Sequence, residues 1–196
     1  ATFKAFEENL YENVRYHYVL QKKFPKDLPY VGLHHRLDRG TSGLVLMTKK
    51  RSLNKAISDL FKYRKIQKEY LCYTEPGEKS PPKKWTQEDK IARAKSSKRK
   101  FSFEVSERGD QAISEFELLE RKEGEYNLIL CRPKTGRTHQ LRVQLSHRGY
   151  AILGDAVYGS KKSAPRLMLH AQALSFRLNG EEFNVSVAPQ WALSRD

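Results

Sequence analysis

The chain has 196 residues, one domain's worth, with 37 Lys and Arg against 23 Asp and Glu, a formal charge of +14 and a pI near 9.8. Such an excess points to a polyanion as partner, and with no amphipathic lipid anchor in view it favours nucleic acid over a membrane. No apolar run reaches the roughly eighteen residues of a spanning helix and no signal peptide is visible, so the expectation is a cytoplasmic protein.

Phe6, Leu10, Val14 and Tyr18 recur every four residues among charged neighbours. The spacing predicts an amphipathic helix of about four turns, its stripe toward the core, ending near Phe24-Pro25. An irregular link through Pro25, Asp27 and Pro29 leads to HHRLDRGTSGLVLMTKK, residues 34–50. Here two histidines, two arginines and an aspartate share six residues, followed by the Thr41-Ser42-Gly43 turn and the apolar run Leu44-Val45-Leu46-Met47. The run predicts a buried strand, and a charged loop at its mouth is where a rigid element can hold an ionised group in place. In an extended loop Arg36 and Asp38 point the same way while Leu37 points back. Taken alone, Asp38 also reads as an aspartate that satisfies backbone donors in a turn.

Ser52 is the expected cap of a second helix running to about Tyr63, with Leu53, Ile57, Leu60 and Phe61 inward. Residues 68–74 then predict a strand with Tyr70 and Cys72 on one face and Leu71 and Tyr73 on the other. Between Lys49 and Lys68 stand eight Lys or Arg against one Asp, a candidate phosphate track as well as a solvated face. The polar stretch 77–100, with Pro81-Pro82 and then eight Lys or Arg against Glu88 and Asp89, reads as a long loop ordered by RNA. Strands are expected at 101–105, 113–120 and 126–131, with turns at Arg108-Gly109-Asp110 and Glu123-Gly124. Cys72 and Cys131 fall within expected strands and outside any CxxC pair, which predicts two buried free thiols in a reducing compartment.

In CRPKTGRTHQLRVQLSHRG, residues 131–149, a strand ends at Pro133, Gly136 turns the chain and Thr138 is the expected cap of a helix. That helix turns Leu141 and Leu145 inward and stops at Gly149. Residues 167–177 predict a strand, Asn179-Gly180 a tight hairpin turn and 183–187 its return. The whole pattern argues an α+β fold with a mixed, largely antiparallel sheet flanked by helices, in one domain over 1–196.

Five short motifs carry a resemblance to a known family. His35-Arg36-Leu37-Asp38 with Thr41-Ser42-Gly43 resembles the catalytic motif of RNA pseudouridine synthases, most of all the large-subunit rRNA type, which also contains tRNA-modifying members. Lys68-Glu69-Tyr70, residues 135–142 (TGRTHQLR), Ile152-Leu153-Gly154-Asp155 with Tyr158-Gly159, and residues 167–171 (LMLHA) resemble its later motifs in order. The resemblance implies the pseudouridine synthase fold and a cofactor-free isomerase that turns uridine in rRNA or tRNA into pseudouridine. It implies Asp38 as nucleophile, at the sugar or at the base, and Arg142 as the cation paired with it. Tyr70 would stack on the uracil and offer its hydroxyl to the carbon 5 proton, with Leu169 as the floor beneath the ring. The target base must leave its stack, and Arg36 would fill the vacated position. Arg137 and His139 read as structural or RNA-positioning. His34, His35, His139 and His170 show no metal-ligand spacing, so no metal is expected.

Family members usually begin with a strand and a Lys-Pro-x-Gly segment, and many carry a small RNA-binding domain ahead of the catalytic one. Neither is present in this chain, which starts at Ala1 and is expected to lack that strand. Gln144 and Ala151 replace the commonest His and Pro of their segments. The competing readings are a non-catalytic RNA-binding module with the same fold and a base-releasing glycosylase; the expected state is a monomer.

Overall fold

The computed structural model describes residues 9–21, 30–95 and 102–193, which fall into two units. The first unit draws on 1–36 and 45–65, the second on 37–44 and 66–196.

In the first unit, helix α1 covers Leu10–Gln21 and begins at Asn9, whose Oδ1 accepts from the Glu12 amide at 2.9 Å. The stripe expected to face the core buries none of its residues: Leu10 is exposed, and Val14 and Tyr18 are only half-buried. Phe6 and Phe24-Pro25 lie outside the described residues. Two-residue strands β1 (Gly32–Leu33) and β3 (Met47–Thr48) pair antiparallel. A Cβ on Gly32 would stand 2.4 Å from Thr48 Oγ1, so a side chain there would displace the Thr48 hydroxyl. Met47 is thus all that the predicted strand 44–47 supplies. Its backbone goes elsewhere: the Leu46 amide donates to His35 Nε2 at 2.7 Å. Helix α2 covers Asn54–Lys62 after a 3-10 turn over Arg51–Leu53, which puts Leu53 rather than Ser52 at the N-cap, with no side-chain cap. Ile57 and Leu60 are buried, as the amphipathic pattern predicts.

The second unit is built on an eight-stranded sheet. Its strands are β2 (Ser42–Gly43), β4 (Gln67–Thr74), β5 (Lys84–Arg93), β6 (Phe103–Val105), β7 (Asp110–Lys122), β8 (Tyr126–Pro133), β9 (Leu169–Leu178) and β10 (Glu181–Ser186). The order is β10-β9-β4-β8-β7-β5-β6, every neighbour antiparallel, with β2 added parallel to β9. Asn179 and Gly180 both take positive φ, 51° and 87°, as the two-residue hairpin turn between β9 and β10 requires. On one face helix α3 (Gln140–His147) turns Leu141 and Leu145 onto a core of Cys72, Phe116, Ile129, Cys131, Ile152, Met168 and Leu169. Gly149 (φ 87°) ends the turn after α3. This is the mixed, largely antiparallel α+β architecture that the strand pattern predicts. Helix α4 (Gln190–Leu193) follows β10.

One expectation is overturned outright. Residues 84–93, read as part of a long loop, form a ten-residue strand paired with β7 over residues 84–91 and with β6 over 91–93. The inward positions are Trp85, Gln87, Asp89 and Ile91, two of them polar, so the period-2 signal is weak in hydrophobicity. Gln87 is buried because its amide donates to Asp89 Oδ2 at 2.8 Å and to the Gln144 carbonyl at 3.1 Å. The two cysteines are free and fully buried on adjacent strands, as expected, with their sulfurs 3.7 Å apart.

Candidate active site

Asp38 lies in the segment 37–44, which the second unit pins at three points. The Arg166 guanidinium donates to the Gly40 carbonyl at 2.9 Å, Ser42 pairs with His170 in β9, and the Leu44 amide donates to the Ala171 carbonyl at 2.9 Å. At Gly43 (φ 114°) an added Cβ would sit 2.2 Å from the Ala171 carbonyl oxygen, so this crossing tolerates no side chain. His170 Nε2 donates to the Val187 carbonyl at 3.0 Å, which leaves Nδ1 to accept from the Ser42 hydroxyl at 2.8 Å. Burial lowers the His170 pKa and keeps that neutral arrangement. The loop therefore has little freedom, and its turn is closed by the Thr41 amide donating to the Asp38 carbonyl at 3.0 Å.

Arg142 comes from the first turn of α3, a helix anchored by polar side chains. Left-handed His139 (φ 56°) stands at its N-cap, not Thr138, and Gln140 does the work expected of a cap. Gln140 Oε1 accepts from the Arg137 amide at 3.0 Å and from Thr135 Oγ1 at 2.7 Å, while its Nε2 donates to the Ile113 carbonyl at 3.0 Å. One turn on, Gln144 Oε1 accepts from Ser114 Oγ at 2.7 Å and its Nε2 reaches the Gln87 carbonyl at 3.2 Å. These contacts tie α3 to β5 and β7 and present the Arg142 guanidinium, itself buried, toward Asp38. Nη1 stands 3.7 Å from Asp38 Oδ2, on side chains 6% and 24% exposed respectively. The nucleophile candidate is thus reachable and its counter-ion is not.

Sequence reasoning did not assign the group that holds Arg142. Asp155 takes the guanidinium in a two-pronged pair, Nε and Nη2 donating at 2.8 and 2.9 Å, and is almost wholly buried. Burial opposes the charge on Arg142, but the Asp155 pair outweighs it and raises the pKa. The ring of Tyr158 lies 5.0 Å from the guanidinium carbon. Both residues stand in a motif the sequence displays, and Asp155 also forms the turn there: its Oδ1 accepts from the Val157 and Tyr158 amides.

Tyr70 sits on β4 opposite Cys131 on one side and Ala171 on the other, just after a register shift at Glu69/Tyr70 that re-aims the strand. Burial, then the nearby Asp38 carboxylate and Cys131, push its phenol from 10.0 up to about 12. Leu169 is buried in the core against which Tyr70 packs. Arg36, in the first unit, is exposed. Arg137 donates to the Gln111 carbonyl at 3.0 Å and pairs with Asp110 at 3.4 Å, so its contacts are with β7 rather than with Asp38. His139 Nδ1 hydrogen-bonds the Tyr158 hydroxyl at 2.6 Å, so its contact is with the ring beside the guanidinium rather than with Asp38. His34 bonds Ser58 and Thr48, so like His35, His139 and His170 it has a structural hydrogen bond; no group of three or more His, Cys, Asp or Glu with metal-holding geometry occurs among the described residues.

A partly exposed carboxylate, a buried guanidinium facing it and a neutral phenol alongside suit nucleophilic attack beside a flat ring. Among solved structures, the human RNA pseudouridylate synthase domain containing 1 superposes with a TM-score of 0.81 at 25% identity, over 97% of this chain and 78% of that one. In sequence the chain is 36% identical over 155 residues to the ribosomal large subunit pseudouridine synthase D of Borreliella burgdorferi, covering 78% of this chain and 46% of that protein. It is 38% identical over 168 residues to an uncharacterized RNA pseudouridine synthase of Helicobacter pylori, covering 81% of this chain and 62% of that protein. The chain thus spans between 46% and 62% of the length of these two relatives. With residues 9–147 matching the sequence model of the RNA pseudouridylate synthases, a match that runs through the loop of Asp38, the strand of Tyr70 and the helix of Arg142, the chain belongs to that family.

Proposed function

We propose that this protein isomerises uridine to pseudouridine in structured RNA, with rRNA the first substrate to test and tRNA the second. The observation that carries the reading is Asp38 held 3.7 Å from a buried Arg142 in the same unit as Tyr70. The names of the curated relatives, which specify the large ribosomal subunit, support rRNA. The charge of +14 supports a polyanionic partner.

In this mechanism the target uridine leaves its stack and its uracil stacks on Tyr70, with Leu169 as the floor beneath the ring. Asp38 attacks, and the bond from C1′ to N1 breaks. The base turns, C5 bonds to C1′, and Asp38 is released. The proton on C5 leaves and N1 gains one, so the product is an isomer and no cofactor is consumed. Arg36 occupies the gap left in the RNA stack, while Arg137 and His139 act through the fold, and a single chain performs the reaction.

Incubating the chain with transcripts of large-subunit rRNA and of tRNA, then digesting and separating the nucleosides, tests this directly. Pseudouridine should accumulate with no free uracil. Asp38→Asn should bind RNA as before and lose turnover by several orders of magnitude. Release of uracil would instead make the protein a glycosylase, and wild-type conversion by Asp38→Asn would remove the nucleophile.

A further inference from the structure

Arg142 is shared unequally between two carboxylates. Asp155 takes Nε and Nη2 at 2.8 and 2.9 Å, which leaves Nη1 toward Asp38 at 3.7 Å. Asp155 is 1% exposed and is fixed in its turn, its Oδ1 accepting from the Val157 and Tyr158 amides at 3.0 and 3.2 Å. The same turn lays the Tyr158 ring over the guanidinium. Tyr158 is held at both ends: its hydroxyl bonds His139 and accepts from the Phe103 amide, and its carbonyl accepts from Ser146 Oγ at 2.7 Å.

We propose that Asp155, with Tyr158 beside it, is a positioning residue that acts on the reaction through Arg142. The inference rests on the isomerase reading above. Two physical arguments support it. A guanidinium and a carboxylate left to themselves close into a bidentate pair, which would occupy both oxygens of the group that must attack. With its Nε edge already taken, Arg142 can offer Asp38 only one arm. Next, bond formation uses up the negative charge of Asp38, since a carboxylate oxygen gains a bond while the electron pair of the broken bond goes to the uracil. A buried cation whose sole partner has just been neutralised is costly. Asp155 supplies a counter-charge that persists through that step and through the return, and neither it nor Arg142 transfers a proton.

Asp155→Asn keeps the shape and removes the charge. The full chain should then lose about 10- to 100-fold in kcat with KM for RNA changed less than about threefold, the pattern of an interaction felt in the transition state. In an Arg142→Lys background, where an ammonium cannot make the two-pronged contact, the same substitution should add less than about a twofold loss. A purely structural role would give equal losses in both backgrounds, and that result would overturn the inference, as would a kcat within about twofold of wild type. If Asp155→Asn fails to fold, Tyr158→Leu retains the ion pair and removes the ring; a kcat loss of about three- to tenfold is expected, and unchanged kcat would refute the clamp. Wild type and Asp38→Asn run alongside separate the two ideas. If both make no pseudouridine, the isomerase reading falls and takes this inference with it.

Discussion

Replacing Tyr70 by Phe separates the ring from the hydroxyl, and the structure gives the hydroxyl's part a magnitude. With the phenol pushed up to about 12, the ionised form at neutral pH is roughly one molecule in 100,000, a cost of about 7 kcal/mol for any step that needs it. If the hydroxyl removes the carbon 5 proton, conversion by the wild type should therefore climb about tenfold per pH unit above neutrality. Tyr70→Phe should still bind RNA yet stall before product. Stability provides a second readout. The folded pKa lies above the unfolded value, so the contribution is intact below about pH 10 and is lost as pH rises toward 12, by up to roughly 2 to 3 kcal/mol. The Phe variant has no such loss. Urea unfolding of the two proteins from neutral to strongly alkaline pH measures the difference. Parallel stability curves would refute the burial argument, and normal turnover by the variant would show the hydroxyl to be dispensable.

Arg36→Lys should keep most RNA binding while impairing conversion, because lysine retains the charge without the planar stacking surface; the defect should shrink on RNA whose target uridine is already unstacked. Equal impairment on both substrates would count against gap filling. Changing the exposed Lys50, Arg64 and Lys65 to Ala should flatten the slope of log affinity against log salt by about 2, at roughly 0.7 per phosphate on single-stranded RNA. An unchanged slope would leave those cations as solvated surface. Gln144→Leu, at a fully buried position, strips acceptors and donors from Ser114, Asp89 and the Gln87 carbonyl and should cost about 2 to 3 kcal/mol in urea unfolding at constant m. A loss below about 0.5 kcal/mol would mean the network contributes little to anchoring α3.

Strands β4, β7, β8, β9 and β10 were legible in the sequence because apolar and polar residues alternate in them or because turn residues bound them. β5 was not, since a buried Gln87 and Asp89 give a chain of partners rather than a hydrophobic signal. The apolar run after Gly43 misled in the opposite sense: its hydrophobicity is genuine, but its backbone donors are spent on Ala171 and His35 instead of a ladder. At the candidate site, Asp38, Tyr70 and Arg142 stand out only when the motifs are taken together, because each alone has an ordinary structural explanation. Asp155 went unassigned for a related reason. Holding a turn and holding a guanidinium call for the same residue, and only the fold shows that it does both.

The pairing of β2 with β9 has a consequence for how the protein comes to be. Ser42 and His170, which meet there, are 128 residues apart in the chain. Contacts of such long range are closed late, after the entropy of the intervening loop has been lost to other structure. During synthesis, the segment bearing Asp38 emerges long before the strand that disciplines it. A growing chain therefore carries the Asp38 carboxylate in an unorganised loop until nearly all of the sheet is available, and the proposed nucleophile is not yet in place during that interval. Maturation of the site is in this sense timed by the arrival of β9.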